Sequence, residues 1–214
     1  MRLSAVLLVV VGCHVDGAVV PDATTEPDVM PRPQGMFVTW DAKPALPGSL
    51  SDKITVTDVV FQLGHLQLIS DAGADGRTTK SRYPVEWSAT TMPEQEEFPD
   101  APSALYQRIL LDIRGDVQPP YAYQIRGTWQ DNNGPRQFLI ADRKMLEISI
   151  DCSKMLPPGG SVSIALKVDL RNALNTVDFG SLPPTGGMLF LGGGPMLDDV
   201  HDALEQHAFS LDDN

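Results

Sequence analysis

Cysteine and basic residues are scarce in this chain of 214 residues, and each shortage excludes a class of protein. Two cysteines, Cys13 and Cys152, are too few for a disulfide framework or for a metal site built from several thiolates. The 16 Lys and Arg residues are outnumbered by 28 Asp and Glu residues, which gives a net charge of −12. Because nucleic-acid binding needs a basic face and no Lys/Arg cluster is present, we expect no nucleic-acid partner.

Motifs for nucleophilic, metal-dependent or phosphate chemistry are also missing. The sequence contains no G-x-S-x-G, no H-E-x-x-H and no P-loop. Paired carboxylates occur in PEQEEFPD at residues 93–100, where flanking prolines predict a loop with fully hydrated side chains. General acid–base catalysis needs a partly desolvated carboxyl group, so we expect no enzymatic activity and no cofactor.

The first twelve residues have the order of a secretory signal. One positive charge at Arg2 precedes an almost wholly apolar run over residues 3–11, and the small residue Gly12 follows. This run is too short for a transmembrane helix, which needs about 20 apolar residues. Residues 1–12 are therefore predicted to be a signal peptide, and the protein to be exported.

The tetrapeptide VVGC at residues 10–13 resembles the lipobox of bacterial lipoproteins. The resemblance implies cleavage between Gly12 and Cys13 and a lipid on the Cys13 thiol. The membrane is then a partner through acylated Cys13, because buried acyl chains hold a soluble domain at a bilayer surface. His14 occupies the position where Asp implies inner-membrane retention, which favours the outer membrane.

An ordinary signal peptide cut near Gly17–Ala18 is the alternative, and it leaves no lipid. A disulfide between Cys13 and Cys152 then becomes conceivable. With a lipid on Cys13, Cys152 is a free thiol, and its place after alternating apolar residues predicts a buried position.

A tether and one folded domain are predicted after the signal. Residues 14–34 contain four prolines and four acidic residues without any amphipathic period. This composition is typical of a disordered spacer. We expect a lipidated tether over residues 13–35 and a β-sandwich domain with a C-terminal helix over residues 36–214.

Short alternating apolar runs between turn residues predict about eight strands over residues 36–170. The alternation changes parity near Gly64, which predicts a bulge or bend. Residues 130–135, QDNNGP, predict a hairpin turn. Helical spacing is confined to residues 171–177 and to a segment starting at Pro195. The predicted fold is an all-β, immunoglobulin-like sandwich with a short C-terminal helix.

Three sets of side chains are candidates for ligand binding. Asp71 and Asp75 lie in the calcium-like segment DAGADG, although Gly73 lacks a ligand and no Glu closes the loop. The C-terminal segment, with His201 and Glu205 on one helix face, predicts a solvated acidic surface more strongly than a metal site. Six aromatic residues are expected in the core or, alternatively, around a binding cleft: Trp40, Trp87, Trp129, Tyr83, Tyr121 and Tyr123.

Residues 54–70, 121–129 and 162–179 together resemble the MbnP-like copper-associated periplasmic lipoproteins in their strand pattern, which ends in a short Asp-bearing helix. This resemblance implies a β-sandwich, copper bound through histidine, and a site linked to tryptophan. It makes His65 the first ligand candidate, although no second ligand is obvious.

The sequence therefore predicts a lipid-anchored binding or structural module of the bacterial cell envelope. Its partner is an envelope protein or a small ligand held at loops such as 71–82 and 90–104. The alternative is a copper or calcium carrier whose metal candidates are His65, Asp71 and Asp75.

Overall fold

The computed structural model of this protein describes residues 34–71, 75–77, 82–115 and 120–212, with only the backbone at 75–77. The predicted signal peptide, the lipidation site at Cys13 and nearly all of the predicted tether lie outside these residues. From Gln34 onward the described residues belong to one compact unit.

All eight strands predicted from apolar alternation are present. Their bounds are β1 Gly35–Ala42, β3 Ile54–Ser70, β5 Tyr83–Trp87, β7 Leu105–Ile113, β8 Tyr123–Asp131, β9 Gly134–Asp142, β10 Leu146–Met155 and β11 Ser161–Val168. Six further strands are too short to show a period in the sequence. They are β2 Gly48–Ser49, β4 Asp75–Arg77, β6 Glu96–Phe98, β12 Pro184–Thr185, β13 Met188–Leu191 and β14 Phe209–Leu211.

The strands form two sheets, which confirms the predicted all-β sandwich. The small sheet has the order β14-β11-β1-β6, with β1 and β11 parallel and Gly35 opposite Ser161. The large sheet has the order β10-β7-β3-β8-β9-β13-β12, and β2, β4 and β5 also pair with β3. The 17-residue strand β3 is thus the centre of the large sheet.

The change of parity in β3 is a β-bulge, as predicted. Before Gly64 the buried residues are Val59, Phe61 and Leu63, whereas Leu66 and Leu68 are buried after it. The pairing of β3 with β7 shifts between Leu63 and His65, so that the strand presents apolar side chains to the core on both sides of the bend.

Six connections between described strands carry the chain from one sheet to the other, among them those that follow β5 and β10. Residues 88–95 lead from β5 in the large sheet to β6 in the small sheet, and residues 156–160 lead from β10 to β11. The predicted hairpin turn instead joins neighbours within one sheet, since Asp131 of β8 pairs with Gly134 of β9.

Both α-helices of the described residues lie in the regions where the sequence predicts them. Helix α1 spans Arg171–Asn175, and helix α2 spans Pro195–Ala203 with Pro195 in its first turn. A π-helical turn, Leu204–Ala208, continues α2, and a 3₁₀ turn spans Phe179–Ser181. None of the helices in the described part of the chain combines the length and hydrophobicity that crossing a bilayer requires.

One apolar core lies between the sheets and extends under the helices. Phe61 is near its centre, with edge-on contacts to Trp87 and Phe209 at ring-centre distances of 6.5 and 5.2 Å. The largest fully buried side chains include Trp87, Tyr106, Tyr123, Phe61, Phe98 and Phe138. This packing fixes the two sheets against each other.

Candidate binding site

A cleft opens beside the connection from β5 to β6. Its volume is about 240 Å³, and we call it the inter-sheet cleft. Residues from three places line it: Trp40 of β1, Tyr83 and Glu86 of β5, and the segment 91–96 that enters β6. The cleft therefore combines side chains from both sheets with the chain that crosses between them.

The pairing of β1 with β6 places Trp40 and Glu96 on the same face of the small sheet. Val38 lies directly opposite Glu96, and Trp40 follows Val38 by two residues. Residues two apart in a strand project to the same face, and directly opposed residues share that face. Since Val38 is fully buried, Glu96 and Trp40 lie on the inner face, toward the large sheet.

Glu96 corrects the expectation that the carboxylates of residues 93–100 are fully hydrated. Only 2% of Glu96 is exposed, while its neighbour Glu97 lies on the outer face and is exposed. The reason is the short strand β6, which alternates around the buried residue Phe98. The spacing of Glu96 and Phe98 was the available signal, but three residues are too few to distinguish a strand from a loop.

Tyr83 approaches Glu96 from the large sheet. Burial of the phenol is the main cause that raises the pKa of Tyr83 far above its usual value. The charge of Glu96, and a hydrogen bond between the two side chains, raise the same pKa further. The Tyr83 hydroxyl therefore stays protonated, and it lies close enough to the Glu96 carboxylate of the other sheet for that charge to act on it.

The indole of Trp40 supplies a second polar group. Its Nε1 is shielded from solvent and has no hydrogen-bond acceptor within the described structure. An unpaired buried N–H costs about 1–3 kcal/mol relative to a paired one. Trp40 thus carries an unused donor in a residue that lines the inter-sheet cleft.

The other candidate aromatic residues lie elsewhere. Trp87 and Tyr123 are fully buried in the core. Trp129 is partly buried and stacks on Phe179, and Tyr121 lies under the guanidinium of Arg143 at 5.4 Å. Of the six rings, the inter-sheet cleft brings together only Trp40 and Tyr83.

The metal candidate His65 contacts a carboxylate that already has a cationic partner. Its Nδ1 lies 3.1 Å from Oδ2 of Asp112, and the His65 side chain is 54% exposed. Arg114 donates from Nε to Oδ1 of the same Asp112 at 2.8 Å and forms an ion pair with it. The adjacent guanidinium opposes the approach of a further cation.

Asp71 does not join His65. The two residues are separated by six positions along β3, or about 20 Å at about 3.3 Å per residue. The Asp71 carboxylate accepts a hydrogen bond from the Leu105 N–H at 3.2 Å, which ties the end of β3 to β7. The backbone of Asp75 pairs with Ile69, and its side chain lies outside the described part. Among the described side chains, no group of three or more His, Cys, Asp or Glu residues is placed to hold a metal ion.

The C-terminal segment is a solvated acidic surface only in part. Asp198 and Asp202 are exposed as predicted, whereas His201 is 2% exposed and packs into the protein. Its Nδ1 lies 3.2 Å from Oδ2 of Asp142. This contact joins residues 59 positions apart, and no local sequence pattern predicts it.

Cys152 is half-buried rather than fully buried and forms no disulfide with a described residue. Its thiol donates a weak hydrogen bond to the Tyr106 carbonyl at 3.4 Å. Burial is the main cause that raises the pKa of the Cys152 thiol. A protonated, hydrogen-bonded thiol in this position is a poor nucleophile.

Comparisons of the chain with protein-family models, with curated proteins and with solved structures find no match.

Proposed function

We propose that this chain is a non-enzymatic binding module that is held at a bacterial membrane by a lipid on Cys13 and binds a small ligand in the inter-sheet cleft. The observation that carries the proposal is the meeting of Trp40, Tyr83 and the buried Glu96 in one concave site. Ligand sites are typically concave and mostly apolar, with a few placed polar groups. The cleft has this composition on a rigid framework of two sheets.

The residues that line the cleft favour binding over catalysis. No described lining residue is a histidine, cysteine or serine, so a pair of nucleophile and histidine base is not available there. Glu96 is the one buried carboxylate among the described lining residues, and the protonated Tyr83 hydroxyl lies near it. These side chains can orient a ligand without reacting with it.

The proposed anchor rests on the sequence at residues 10–13 and on the composition of the following segment. A lipid on Cys13 would hold the protein at the outer membrane, and residues 14–35 would space the sandwich from the bilayer. An envelope protein is the alternative partner, and it would contact the surface around the cleft rather than fill it.

The cleft is tested by NMR on the three tryptophan indoles of full-length protein in a non-ionic detergent. The probes are choline, acetate, glucose and cyclohexanol, which represent a cation, an anion, a polar neutral molecule and an apolar neutral molecule. We expect at least one probe to shift the Trp40 indole resonance while the Trp129 resonance stays in place. If no probe separates the Trp40 response from the Trp129 response, the cleft is not a ligand site.

The anchor is tested by growing cells with an alkynyl palmitate analogue. The wild type and Cys152→Ser should incorporate the label, and Cys13→Ser should not, because only the Cys13 thiol would be acylated. Cys152→Ser is the matched control for the loss of a cysteine. Export of an unlabelled wild-type protein, cut downstream of Cys13, would contradict the anchor.

Metal analysis of protein purified without chelator distinguishes a copper or calcium carrier from the proposed binding module. Melting curves recorded after adding each metal complete the comparison. The contact of Asp112 with both His65 and Arg114 makes the binding module the better supported proposal. Stoichiometric metal, with a melting temperature that rises on adding that metal, would instead support the carrier.

A further inference from the structure

A second hollow lies on the outer face of the large sheet. Its volume is about 350 Å³, and we call it the outer-face hollow. Its polar side chains come from three neighbouring strands: Thr57 and Asp58 of β3, Arg126 and Thr128 of β8, and Gln137 of β9. It shares no described lining residue with the inter-sheet cleft, so it is a separate candidate for a ligand site.

A β-bulge in β3 gives the outer-face hollow two adjacent polar side chains. The pairing of β3 with β8 shifts between Val56 and Asp58, and both Val56 and Val59 are fully buried. Thr57 and Asp58 lie between these two valines and both line the hollow, whereas a regular strand would turn one of them into the core. Bulges re-aim side chains in this way and are frequent beside functional sites.

Asp58 and Arg126 are directly opposed on the two strands, yet they do not form an ion pair with each other. Within the described part of the chain, the Asp58 carboxylate has no hydrogen-bond donor and no cationic partner. Arg126 donates from Nη2 to Oε1 of the uncharged residue Gln124 at 3.4 Å, which leaves most of its five N–H donors available. The hollow thus presents one charge of each sign, which suits a ligand that also carries one charge of each sign.

Leu139 and Met188 supply an apolar surface beside these charges. Leu139 of β9 lies opposite Arg126, and Met188 begins β13, the next strand of the sheet. Both side chains are half-buried and line the outer-face hollow. Because covering apolar surface is favourable, the two residues favour a ligand that also carries an aliphatic group.

The spacing of the two charges limits the size of the ligand. Directly opposed residues have Cβ atoms about 4.5–5.5 Å apart, so the ammonium and carboxylate groups of a bridging ligand must be close together. We infer that the outer-face hollow binds a free aliphatic α-amino acid, with its ammonium group at Asp58 and its carboxylate at Arg126. Its side chain then packs against Leu139 and Met188. This site does not depend on ligand binding in the inter-sheet cleft.

The test is isothermal titration calorimetry of the full-length protein in non-ionic detergent with L-leucine. Two analogues isolate the charges of leucine: 4-methylpentanoate lacks the ammonium group, and 3-methylbutylamine lacks the carboxylate. We expect each analogue to bind about fivefold to tenfold more weakly than leucine, because one hydrogen-bonded charge contact is lost.

Neutral variants assign the binding to the outer-face hollow. Asp58→Asn and Arg126→Gln should each weaken leucine binding about fivefold to tenfold. One matched control is Asp100→Asn, in an exposed turn. The other is Arg108→Gln, at an exposed residue that pairs with Ile69, eleven positions along β3 from Asp58. Both controls should leave the affinity unchanged, and urea denaturation curves check that all four variants are folded.

The outcomes distinguish this site from the inter-sheet cleft. Absence of leucine binding, or equal affinities for leucine and its two analogues, would overturn the amino-acid inference. Leucine binding that Asp58→Asn and Arg126→Gln leave unchanged would also overturn it, because the ligand would then lie elsewhere. If leucine does not bind but another probe shifts the Trp40 indole resonance selectively, the inference fails and the proposed function stands. If leucine binding needs Asp58 and Arg126 but no probe shifts Trp40 selectively, the inference stands and the proposed cleft fails.

Discussion

Nδ1 of His201 in α2 lies 3.2 Å from Oδ2 of Asp142, the last residue of β9. The ring nitrogen donates, because a carboxylate only accepts hydrogen bonds. Oδ1 of Asp142 also accepts from the Lys144 N–H at 3.0 Å, and the Tyr123 hydroxyl approaches Oδ2 at 3.5 Å. A buried polar network thus connects the C-terminal helix to two strands of the large sheet.

Replacing His201 by Ala should destabilise the protein by about 2–4 kcal/mol, because it removes a buried ring from the packing and takes one hydrogen-bond donor from the shielded Asp142 carboxylate. The matched control is His207→Ala, since His207 is exposed in the same C-terminal segment and should cost less than about 0.5 kcal/mol. Urea denaturation of both variants measures the difference. Equal free energies of unfolding would show that the His201–Asp142 contact contributes nothing.

The steric cost of adding a methyl group differs among three glycines of the fold. A Cβ at Gly127 would overlap the Thr55 carbonyl and the Phe138 ring, neither of which can move without disturbing the large sheet. A Cβ at Gly64 would lie 2.7 Å from Nε of Arg114, a flexible side chain that can shift. A Cβ at Gly193 would meet no atom within 4 Å.

We therefore expect Gly127→Ala to cost more than about 3 kcal/mol, Gly64→Ala about 1–2 kcal/mol and Gly193→Ala less than about 0.5 kcal/mol. Thermal and urea unfolding give the order. A Gly64→Ala variant as unstable as Gly127→Ala would mean that Arg114 is held rigidly by Asp112.

Local periodicity predicted the strands and the bulge but not which strands pair. The alternation around Gly64 is a property of neighbouring residues, so it is visible in the sequence. The parallel pairing of Gly35 with Ser161 depends on chain segments far apart, and nothing local distinguishes it from other pairings. The burial of Glu96 follows from β1 pairing with β6, two segments far apart in the chain, so the local sequence of residues 93–100 predicts only a hydrated loop.

The aromatic residues show the same difference between what local sequence predicts and what contacts between distant segments determine. Six aromatic residues were equally good candidates for a cleft, because each lies in or beside an apolar strand. Only the relative placement of the two sheets brings Trp40 and Tyr83 to one cleft and buries Trp87 in the core. The sequence therefore predicts that aromatic residues line the candidate site, but it does not predict which of the six lie there.

Asp169 provides a contribution to stability that depends on pH. A side-chain hydrogen bond from Arg171 is the main cause that lowers the pKa of Asp169, although burial opposes it. Nε of Arg171 lies 3.0 and 3.1 Å from the two carboxylate oxygens. Because the folded-state pKa is below the unfolded value of about 3.9, the contribution is present above that value and is lost as pH falls through the folded-state pKa.

We expect Asp169→Asn to be less stable than the wild type at neutral pH and to approach it in stability as the pH falls below the folded-state pKa. The effect should be small, since the Arg171 side chain is 56% exposed and solvent screens the pair. Urea denaturation across this pH range measures it. Asp178→Asn, at another exposed carboxylate that caps a short helical turn, controls for the loss of a negative charge. A stability difference that does not change with pH would contradict the assigned role.

Cys152 should react slowly with thiol reagents in the folded protein. Its raised pKa reduces the thiolate fraction at neutral pH, and the thiolate is the reactive form. In the Cys13→Ser variant, where Cys152 is the remaining cysteine, we expect iodoacetamide to react at least about tenfold faster after unfolding in urea than before it. Mass spectrometry of the alkylated protein follows both rates. The same rate in folded and unfolded protein would show that neither burial nor the hydrogen bond to the Tyr106 carbonyl protects the thiol.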